Sequence, residues 1–295
     1  MQKNTIYALG VFDGVHLGHQ ALLSACRDLA DKHNQNAGVI TFTTHPDSLI
    51  AGESPRLING VEDRRLLLLS SGVDNVVEIA FNEELMHTHW SAFLQELVEQ
   101  GAAGFVCGSD FRFGAGGTGT AEELEGFCKA RELPCAIVPR QMVDGIRVSS
   151  TYIRELITAG EMEKANVFLC HPHLLSGEVI PGSGLGHTIG IPTANIVLPE
   201  DVVCPQLGVY ACIATVEGKE YLAVTNVGTR PTVSGTHITV EPWLLDFEGD
   251  LYGKRLHLLF YKFLRPERKF DSLEELKAEI QENAMQTRKF FEKHE

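Results

Sequence analysis

The chain has 295 residues, of which 44% are hydrophobic and 22% are charged, and its formal net charge is −14 at pH 7. This length can hold two ordinary domains, and the composition is typical of a soluble globular protein. No apolar run approaches the roughly 18 residues of a membrane-spanning helix. Nucleic-acid binding needs clustered lysine and arginine. We therefore expect neither a membrane nor a nucleic-acid partner.

The cysteines and the N-terminus indicate a cytoplasmic protein. The seven cysteines are odd in number and scattered, with no CxxC pair, so we expect reduced thiols rather than disulfides or a metal site. The first residues, Met1 to Thr5, lead straight into an apolar run. They lack the apolar region and the cleavage site of a signal peptide.

Strands and helices alternate along the first half of the chain. The hydrophobic pattern predicts strands at 5–12, 37–42, 76–79, 104–107 and 136–139, and helices at 19–31, 61–70, 90–100, 121–131 and from 151. Thr120 and Glu123 form a capping-box sequence at the start of the fourth helix. This alternation predicts a Rossmann-like parallel sheet with helices on both faces.

The second half of the chain has a different pattern. Strand-like runs occur at 208–216, 220–227, 237–247 and 255–263, and a second capping box, Ser272 to Glu275, opens one helix. Closely spaced strands with intervening turns predict a small antiparallel barrel followed by a C-terminal helix. We expect the boundary between 158 and 176, which gives domains at 1–165 and 175–295.

The most informative segment is Gly10 to Gln20, where the first strand gives way to the first helix. Such a junction directs backbone N–H groups and the positive end of a helix dipole at one spot, which favours phosphate binding. His16 and His19 would add side-chain donors, and Gly10, Gly14 and Gly18 would let a ligand approach the backbone. The alternative is a tight turn that carries two surface histidines.

Two further segments follow strand ends or open helices. Ligands gather at the carboxyl ends of parallel strands, which predicts one cleft formed by His16, His19, His45 and 107–113. There Phe111, Arg112 and Phe113 could stack on a planar ring and Asp110 could accept from ribose, or the aromatic rings could anchor the loop in the core. Hydroxyls at Ser149, Ser150 and Thr151, with Arg154 one turn later, form a possible phosphate clamp or a simple helix cap.

The order of these motifs, GxFDGxHxGH, GxDFRFG and SSTxIR, resembles bacterial bifunctional riboflavin kinase/FAD synthetase. The second half is also similar to this family, in GxPTAN at 190–195, NxGxRPT at 226–232 and the strand that carries Glu241. The resemblance extends over nearly the whole chain. It implies a nucleotidyltransferase domain followed by a riboflavin kinase domain.

In the first half, the resemblance implies adenylylation of FMN by ATP to give FAD and pyrophosphate. His16 and His19 would be catalytic donors to the phosphoryl oxygens. Flavin or ribose would contact Asp110, Phe111, Arg112 and Phe113. ATP and its phosphates would be bound by Gly10, Phe12, Asp13, Gly14, Ser149, Ser150, Thr151 and Arg154.

In the second half, the resemblance implies phosphorylation of riboflavin by ATP, with Glu241 as the general base. Glu241 could otherwise be an ordinary exposed carboxylate. ATP and Mg²⁺ would be bound by Gly190, Pro192, Thr193 and Asn195, with Thr193 and Asn195 as the metal ligands. Flavin or phosphate would contact Asn226, Arg230 and Arg265. ATP, riboflavin, FMN and Mg²⁺ are thus the expected small-molecule partners of a monomer or weak oligomer.

Departures from the family pattern leave two alternatives open. Leu185 and His187 occupy positions that are usually basic, and Asn283 stands where an aspartate is usual. The kinase half could therefore be weakened, or a flavin sensor, which would leave only FAD synthetase activity. An enzyme of the same fold with another acceptor is a further alternative, against which the DFRFG loop and the kinase-like half both argue.

Overall fold

The computed structural model describes residues 1–50, 55–182, 190–232 and 235–293, and at residues 50 and 230–237 it describes the backbone only. The chain forms two compact units. The first comprises Met1–Leu57 and Val61–Ser150, and the second comprises Ile58–Gly60 and Thr151–Glu295. A short segment of the first half thus belongs to the second unit, where Asn59 Nδ2 donates to Leu174 O at 2.7 Å.

The first unit contains a five-stranded sheet in which every strand pair is parallel. The strand order is β3-β2-β1-β4-β5. The strands are β1 (Thr5–Leu9), β2 (Asn36–Phe42), β3 (Asn75–Ile79), β4 (Ala102–Gly108) and β5 (Cys135–Val138). A two-stranded hairpin of β6 (Met142–Val143) and β7 (Ile146–Arg147) follows. This order is that of doubly wound nucleotide-binding folds, so the predicted sheet is confirmed.

Helices cover both faces of this sheet. They are α1 (Leu17–Lys32), α2 (Asp47–Ile50), α3 (Val61–Ser70), α4 (Glu83–His87), α5 (Trp90–Glu99) and α6 (Ala121–Lys129). Alternate residues of β1 point to opposite faces. Ile6 therefore packs in one apolar cluster with Leu23 of α1, and Tyr7 packs in another with Leu94 of α5 and Leu124 of α6.

The helix starts follow the predicted capping chemistry. Thr120 Oγ1 accepts from Glu123 N at 3.3 Å at the start of α6, as the capping box predicts. The first strand, by contrast, ends at Leu9 rather than at Phe12. It ends early because the chain turns at Phe12, which has a left-handed backbone with φ of 56°.

The second unit contains a six-stranded antiparallel sheet with strand order β8-β13-β10-β11-β12-β9. The strands are β8 (His173–Glu178), β9 (Ile196–Val197), β10 (Gly208–Val216), β11 (Lys219–Thr232), β12 (Gly235–Leu244) and β13 (Arg255–Pro266). The two outer strands, β8 and β9, lie close together: Gly177 of β8 is so near Ile196 of β9 that a Cβ at 177 would overlap the isoleucine side chain. Just beyond them, Ile180 N donates to Asn195 O at 2.9 Å. The sheet is therefore nearly closed, which confirms the predicted barrel.

Three helices accompany the barrel: α7 (Ser150–Thr158), α8 (Met162–Leu169) and α9 (Leu273–Glu292). Ser272 caps α9 by accepting from Glu275 N at 3.1 Å, as predicted. Helix α8 lies within the region predicted as the domain boundary. In the parts of the chain that the structure describes, no helix is both long and apolar enough to cross a membrane.

His173, on β8, is a buried histidine inside the second unit. Its side chain is fully buried, and among the described residues neither ring nitrogen has a hydrogen-bond partner. Burial, with a smaller effect of His171, lowers the pKa of His173 from 6.5 to about 3. The ring is therefore neutral in the folded protein, whereas an unfolded chain would protonate it below pH 6.5.

We predict that His173→Leu makes the protein less sensitive to acid. Between the two pKa values the unfolded state binds one more proton, so the free energy of unfolding falls as the pH falls. From pH 7 to pH 5 this group costs about 2 kcal/mol, a loss that the variant avoids. Urea denaturation at both pH values measures the difference, with the exposed His33→Leu as control. Equal pH dependence in His173→Leu and the wild type would contradict the assignment.

Candidate functional sites

The turn between β1 and α1 has an unusual backbone. Phe12, Gly14 and Val15 have φ values of 56°, 79° and 39°, all in the left-handed region. His16 then caps α1, and its Nδ1 accepts from His19 N at 3.3 Å. A ring nitrogen that accepts carries no proton, so the proton of a neutral His16 ring is on Nε2.

His16 and His19 form a stacked pair at the start of α1. Their ring centroids are 3.6 Å apart with planes 9° from parallel, and Phe12 lies 5.0 Å from His19. Burial lowers the pKa of His19 well below its ordinary value, and His16 and Arg64 lower it further. His19 keeps partial solvent exposure, but its Nδ1 is buried with no hydrogen-bond partner among the described residues. His19 is thus a neutral imidazole close to the N-terminus of a helix.

Side chains from two other elements fix the start of the turn. Val11 O accepts from Thr41 Oγ1 at 2.8 Å and from Arg64 Nη1 at 3.4 Å. Arg64 Nη2 also donates to Phe42 O at 2.5 Å, and Arg64 is 1% exposed. Burial lowers the pKa of Arg64, and the carboxylate of Asp13, which is 2% exposed, partly opposes this shift. Arg64 was not among the predicted site residues, although its spacing of four from Leu68 puts both on the buried face of α3.

Of the predicted phosphate-clamp residues Ser149, Ser150, Thr151 and Arg154, Ser150 contacts this turn within the first unit. Ser150 Oγ donates to Asp13 O at 3.0 Å, and Ser149 and Ser150 are half-buried. Thr151 is exposed and Arg154 is half-buried, and both belong to the second unit. Ser150 therefore supports the turn in addition to starting a helix.

Two residues fix the loop that follows β4: Asp110 by ion pairs and Phe113 by packing in the core. Asp110 forms ion pairs with Arg140 at 3.1 Å and with Arg147, on either side of β6. Phe113 is 7% exposed and packs in the core, and Phe111 stacks on it with centroids 5.5 Å apart. Phe113 thus anchors the loop, the alternative that the sequence left open, and Phe111 is half-buried beside the exposed Arg112.

His45 follows β2 at the same edge of the sheet. Its side chain is 13% exposed, and its Nδ1 accepts from Asp47 N at 3.2 Å. The carboxyl ends of β1, β2 and β4 thus carry the histidine turn, His45 and the Asp110 loop, as the parallel topology requires.

In the second unit, the segment 190–195 leads into β9. Gly190 has φ of 74°, Pro192 is exposed, and Thr193 is half-buried. Asn195 is 7% exposed, and a Cβ at Gly182 would overlap its amide group. Ala194 N donates to Pro242 O at 2.9 Å, which ties this segment to β12 directly after Glu241.

Glu241 and Asn226 lie opposite each other on neighbouring strands, Glu241 on β12 and Asn226 on β11. Both side chains are half-buried, and Glu241 Oε1 accepts from Thr239 Oγ1 at 3.2 Å. A Cβ at Gly228 would lie 2.9 Å from Asn226 Nδ2 and would overlap Glu267. Glycine at 228 therefore leaves space beside the amide of Asn226.

Arg265, on β13, is bound by two side chains of α9. Its Nε lies 2.9 Å from Glu279 Oε1 and 3.1 Å from Asn283 Oδ1, and its Nη1 donates to Pro266 O at 3.1 Å. Asn283 is 1% exposed. The carboxylate that pairs with Arg265 is therefore Glu279, one turn before the amide at 283. Leu185, His187 and the side chain of Arg230 lie outside the described residues.

The first unit thus has the architecture of a nucleotide-binding α/β enzyme, with a histidine turn at the carboxyl edge of its sheet, and the second is a small antiparallel barrel. The family model for FAD synthetase matches residues 1–152, and that for riboflavin kinase matches residues 169–291. The chain belongs to the family of bifunctional riboflavin kinase/FMN adenylyltransferases. The family predicted from the motifs is confirmed, and both enzyme domains are present.

Similar proteins match along nearly the whole chain. The bifunctional riboflavin kinase/FMN adenylyltransferase of Listeria monocytogenes is 35% identical and covers 99% of this chain and 94% of its own length. Its counterpart in Bacillus subtilis is 33% identical, with coverages of 98% and 93%. A crystal structure described as a macrolide-efflux protein from Streptococcus pneumoniae has a TM-score of 0.87 at 29% identity, with coverages of 98% and 95%. The two family models and the two bifunctional relatives favour the bifunctional interpretation over FAD synthetase activity alone.

We predict that Glu279→Gln destabilises the second unit. Glu279 and Arg265 are each less than one-fifth exposed, so loss of the carboxylate leaves a poorly hydrated guanidinium with weaker acceptors. The free energy of unfolding should fall by about 1–3 kcal/mol, the usual contribution of a charged hydrogen bond. Glu282→Gln, on the exposed side of α9, is the matched control in thermal denaturation. A Tm equal to that of the control would mean that the pair contributes nothing.

Proposed function

We propose that the chain makes FAD from riboflavin in two steps. In the first, the 5′-hydroxyl of riboflavin attacks the γ-phosphorus of ATP, which gives FMN and ADP. In the second, a phosphate oxygen of FMN attacks the α-phosphorus of a second ATP, which gives FAD and releases pyrophosphate. The stacked histidine pair at the N-terminus of α1 is the observation that most directly supports the second step.

The adenylylation step needs no nucleophile from the protein. The charge that develops on the α-phosphoryl oxygens would be met by His16 Nε2–H, by His19 and by the N–H groups of the turn. A neutral His19 suits this role, because it donates a hydrogen bond without losing a proton in the reaction. We propose that Gly10, Phe12, Asp13 and Gly14 act through their backbone, since the side chains of Phe12 and Asp13 are buried.

The remaining contacts of this step come from two segments. We propose that Ser149, Ser150, Thr151 and Arg154 hold the leaving pyrophosphate, as hydroxyls and a guanidinium suit phosphate oxygens. Phe111 and Arg112 would contact the flavin or the ribose. Asp110 and Phe113 would shape that surface, Asp110 by its two ion pairs and Phe113 from the core.

The kinase step would take place beside β9 and β12. Glu241 would accept the proton of the riboflavin hydroxyl, with Thr239 orienting its carboxylate. Asn226, opposite it, would contact the flavin together with Arg230 and Arg265. Gly190 and Pro192 would shape the approach of ATP.

The residues of the segment 190–195 fit a bound Mg²⁺. Mg²⁺ prefers oxygen ligands and keeps several waters or phosphate oxygens, so one or two protein oxygens suffice. Thr193 supplies a hydroxyl, and Asn195 supplies an amide that is held next to Gly182, where a Cβ would displace it. Bound Mg²⁺ would neutralise charge on the phosphates. Among the described residues, no cluster of three histidine, cysteine, aspartate or glutamate side chains could bind a metal.

We assign the adenylyltransferase to residues 1–165 and the kinase to 175–295. The cytoplasm is the compartment we propose, since ATP is the phosphate donor and all seven cysteines are free thiols. The direct test incubates the full chain with riboflavin, ATP and Mg²⁺ and separates the products by chromatography. FMN followed by FAD supports the proposal. A parallel incubation with FMN and ATP tests adenylylation alone, because FAD cannot form from riboflavin without FMN. Folded protein that makes neither FMN nor FAD from riboflavin refutes the kinase half, and folded protein that makes no FAD from FMN refutes the adenylyltransferase half.

We predict that His19→Ala lowers kcat for FAD formation from FMN by about 10²-fold or more, the effect of removing one transition-state donor. Riboflavin phosphorylation by the same protein should not change. His33→Ala, at the exposed end of the same helix, is the control. An unaltered kcat would make His19 a structural residue.

We predict the converse for Glu241→Gln. The amide keeps the size of the side chain but cannot take up a proton, so the kinase rate should fall by about 10²-fold or more while FAD formation from FMN continues. Glu220→Gln, on the exposed surface of β11, controls for the loss of one negative charge. Chromatography of both reactions gives the two rates, and equal kinase rates in both variants would exclude Glu241 as the base.

A further inference from the structure

Arg64 lies in the interior of the first unit, although the helix that carries it is rich in charged residues. Arg64 is only 1% exposed, and Leu68, one turn later on the same face of the helix, is fully buried. The adjacent Arg65 has half of its side chain exposed and pairs with Glu78 at 3.2 Å. Burying a guanidinium costs free energy unless its charge and its donors are used.

The guanidinium of Arg64 joins the two chain segments that leave β1 and β2. One nitrogen donates to Val11 O, two residues after the end of β1, and another donates to Phe42 O, the last carbonyl of β2. Thr41, also on β2, donates to the same Val11 carbonyl. The peptide from which the histidine turn starts is therefore fixed to the neighbouring strand.

This fixation matters because the turn itself is strained. Phe12 and Val15 are not glycines, yet both have positive φ, a conformation that persists only where the surroundings hold it. His16 and His19 follow directly, so a shift at Val11 would move both imidazoles. A displacement of about 1 Å at a reacting group can cost about 10²-fold in rate.

The charge of Arg64 also acts on its neighbours. Burial lowers the pKa of Arg64, and Asp13 in the turn and Glu78 on β3 partly oppose this shift. His16 and Arg64 are the charged or titratable groups that act on His19, and both lower its pKa. A fixed positive charge therefore lies close to the catalytic imidazoles.

We infer that Arg64 is a positioning residue for adenylyl transfer, which fixes Val11–His16 against β2 and supplies a buried positive charge behind the phosphate-binding backbone. The inference rests on the proposed adenylyltransferase function. It gives a role to a side chain that would itself touch neither ATP nor FMN.

Three variants of the full chain test this role: Arg64→Met, Arg64→Lys, and Arg65→Met as the matched control. In Arg64→Met, kcat for FAD formation should fall by about 10²-fold. Riboflavin kinase activity and the far-UV circular dichroism spectrum should remain those of the wild type. Arg64→Lys keeps the charge but loses one hydrogen bond, so its kcat should lie between those of the wild type and Arg64→Met. Arg65→Met should match the wild type.

A second measurement separates positioning from a purely structural role. NMR titration of protein labelled at histidine ¹³Cε1 follows the pKa of His19, whose signal is assigned by its loss in His19→Ala. The pKa should rise in Arg64→Met, where the positive charge is gone, and stay low in Arg64→Lys. Wild-type kcat or an unchanged His19 pKa in Arg64→Met would overturn the inference, as would an Arg64→Lys variant no better than Arg64→Met.

The outcomes also separate this inference from the proposed function. If the wild type makes no FAD, the proposed function fails. If the wild type makes FAD and Arg64→Met equals it, only the role of Arg64 fails. Should Arg64→Met not fold, Arg64→Lys decides, because a wild-type kcat there would show that the paired hydrogen bonds to Val11 and Phe42 are unnecessary.

Discussion

The left-handed turn after β1 is the constraint on which the proposed adenylyltransferase site depends. Holding Phe12 and Val15 at positive φ costs about 1–3 kcal/mol each. Complete burial of the Phe12 side chain offsets about 1.5–3 kcal/mol of this cost. The hydrogen bonds to Val11 O add to this offset. Burial and these hydrogen bonds together hold the strained backbone at the point where α1 begins, with both histidines at the sheet edge.

The fold was largely predictable because its elements carry local patterns. Strand–helix alternation gave the parallel sheet, and the capping boxes at Thr120 and Ser272 marked two helix starts that the structure confirms. Helix α8 was missed because no side chain caps its N-terminus and the left-handed Cys170 ends it, so neither end has a typical capping residue. Strand β8 was also missed, because its pairing with β13 is a long-range contact that no local pattern indicates.

The candidate sites were predictable only where the motif itself supplies the chemistry. His16, His19 and Glu241 could be named from the sequence, although their roles stay predictions. The sequence alone could not show which of the adjacent arginines, Arg64 or Arg65, is buried, since charged residues on a helix generally suggest exposure. Only packing shows that one is buried under the turn while the other pairs with Glu78 at the surface.

The kinase half shows how a missing charge in a motif can be offset nearby. The sequence pattern suggested that Asn283, in place of an aspartate, weakens this half. In the folded unit the buried amide still accepts from Arg265, and Glu279 brings a carboxylate to 2.9 Å from the same nitrogen. The Nε–H of Arg265 donates to the amide of Asn283, while the carboxylate of Glu279 pairs with the charge of the same guanidinium, so one arginine binds both groups. Asn283 alone therefore does not leave Arg265 without an acidic partner, because Glu279, one helical turn before it, supplies the carboxylate.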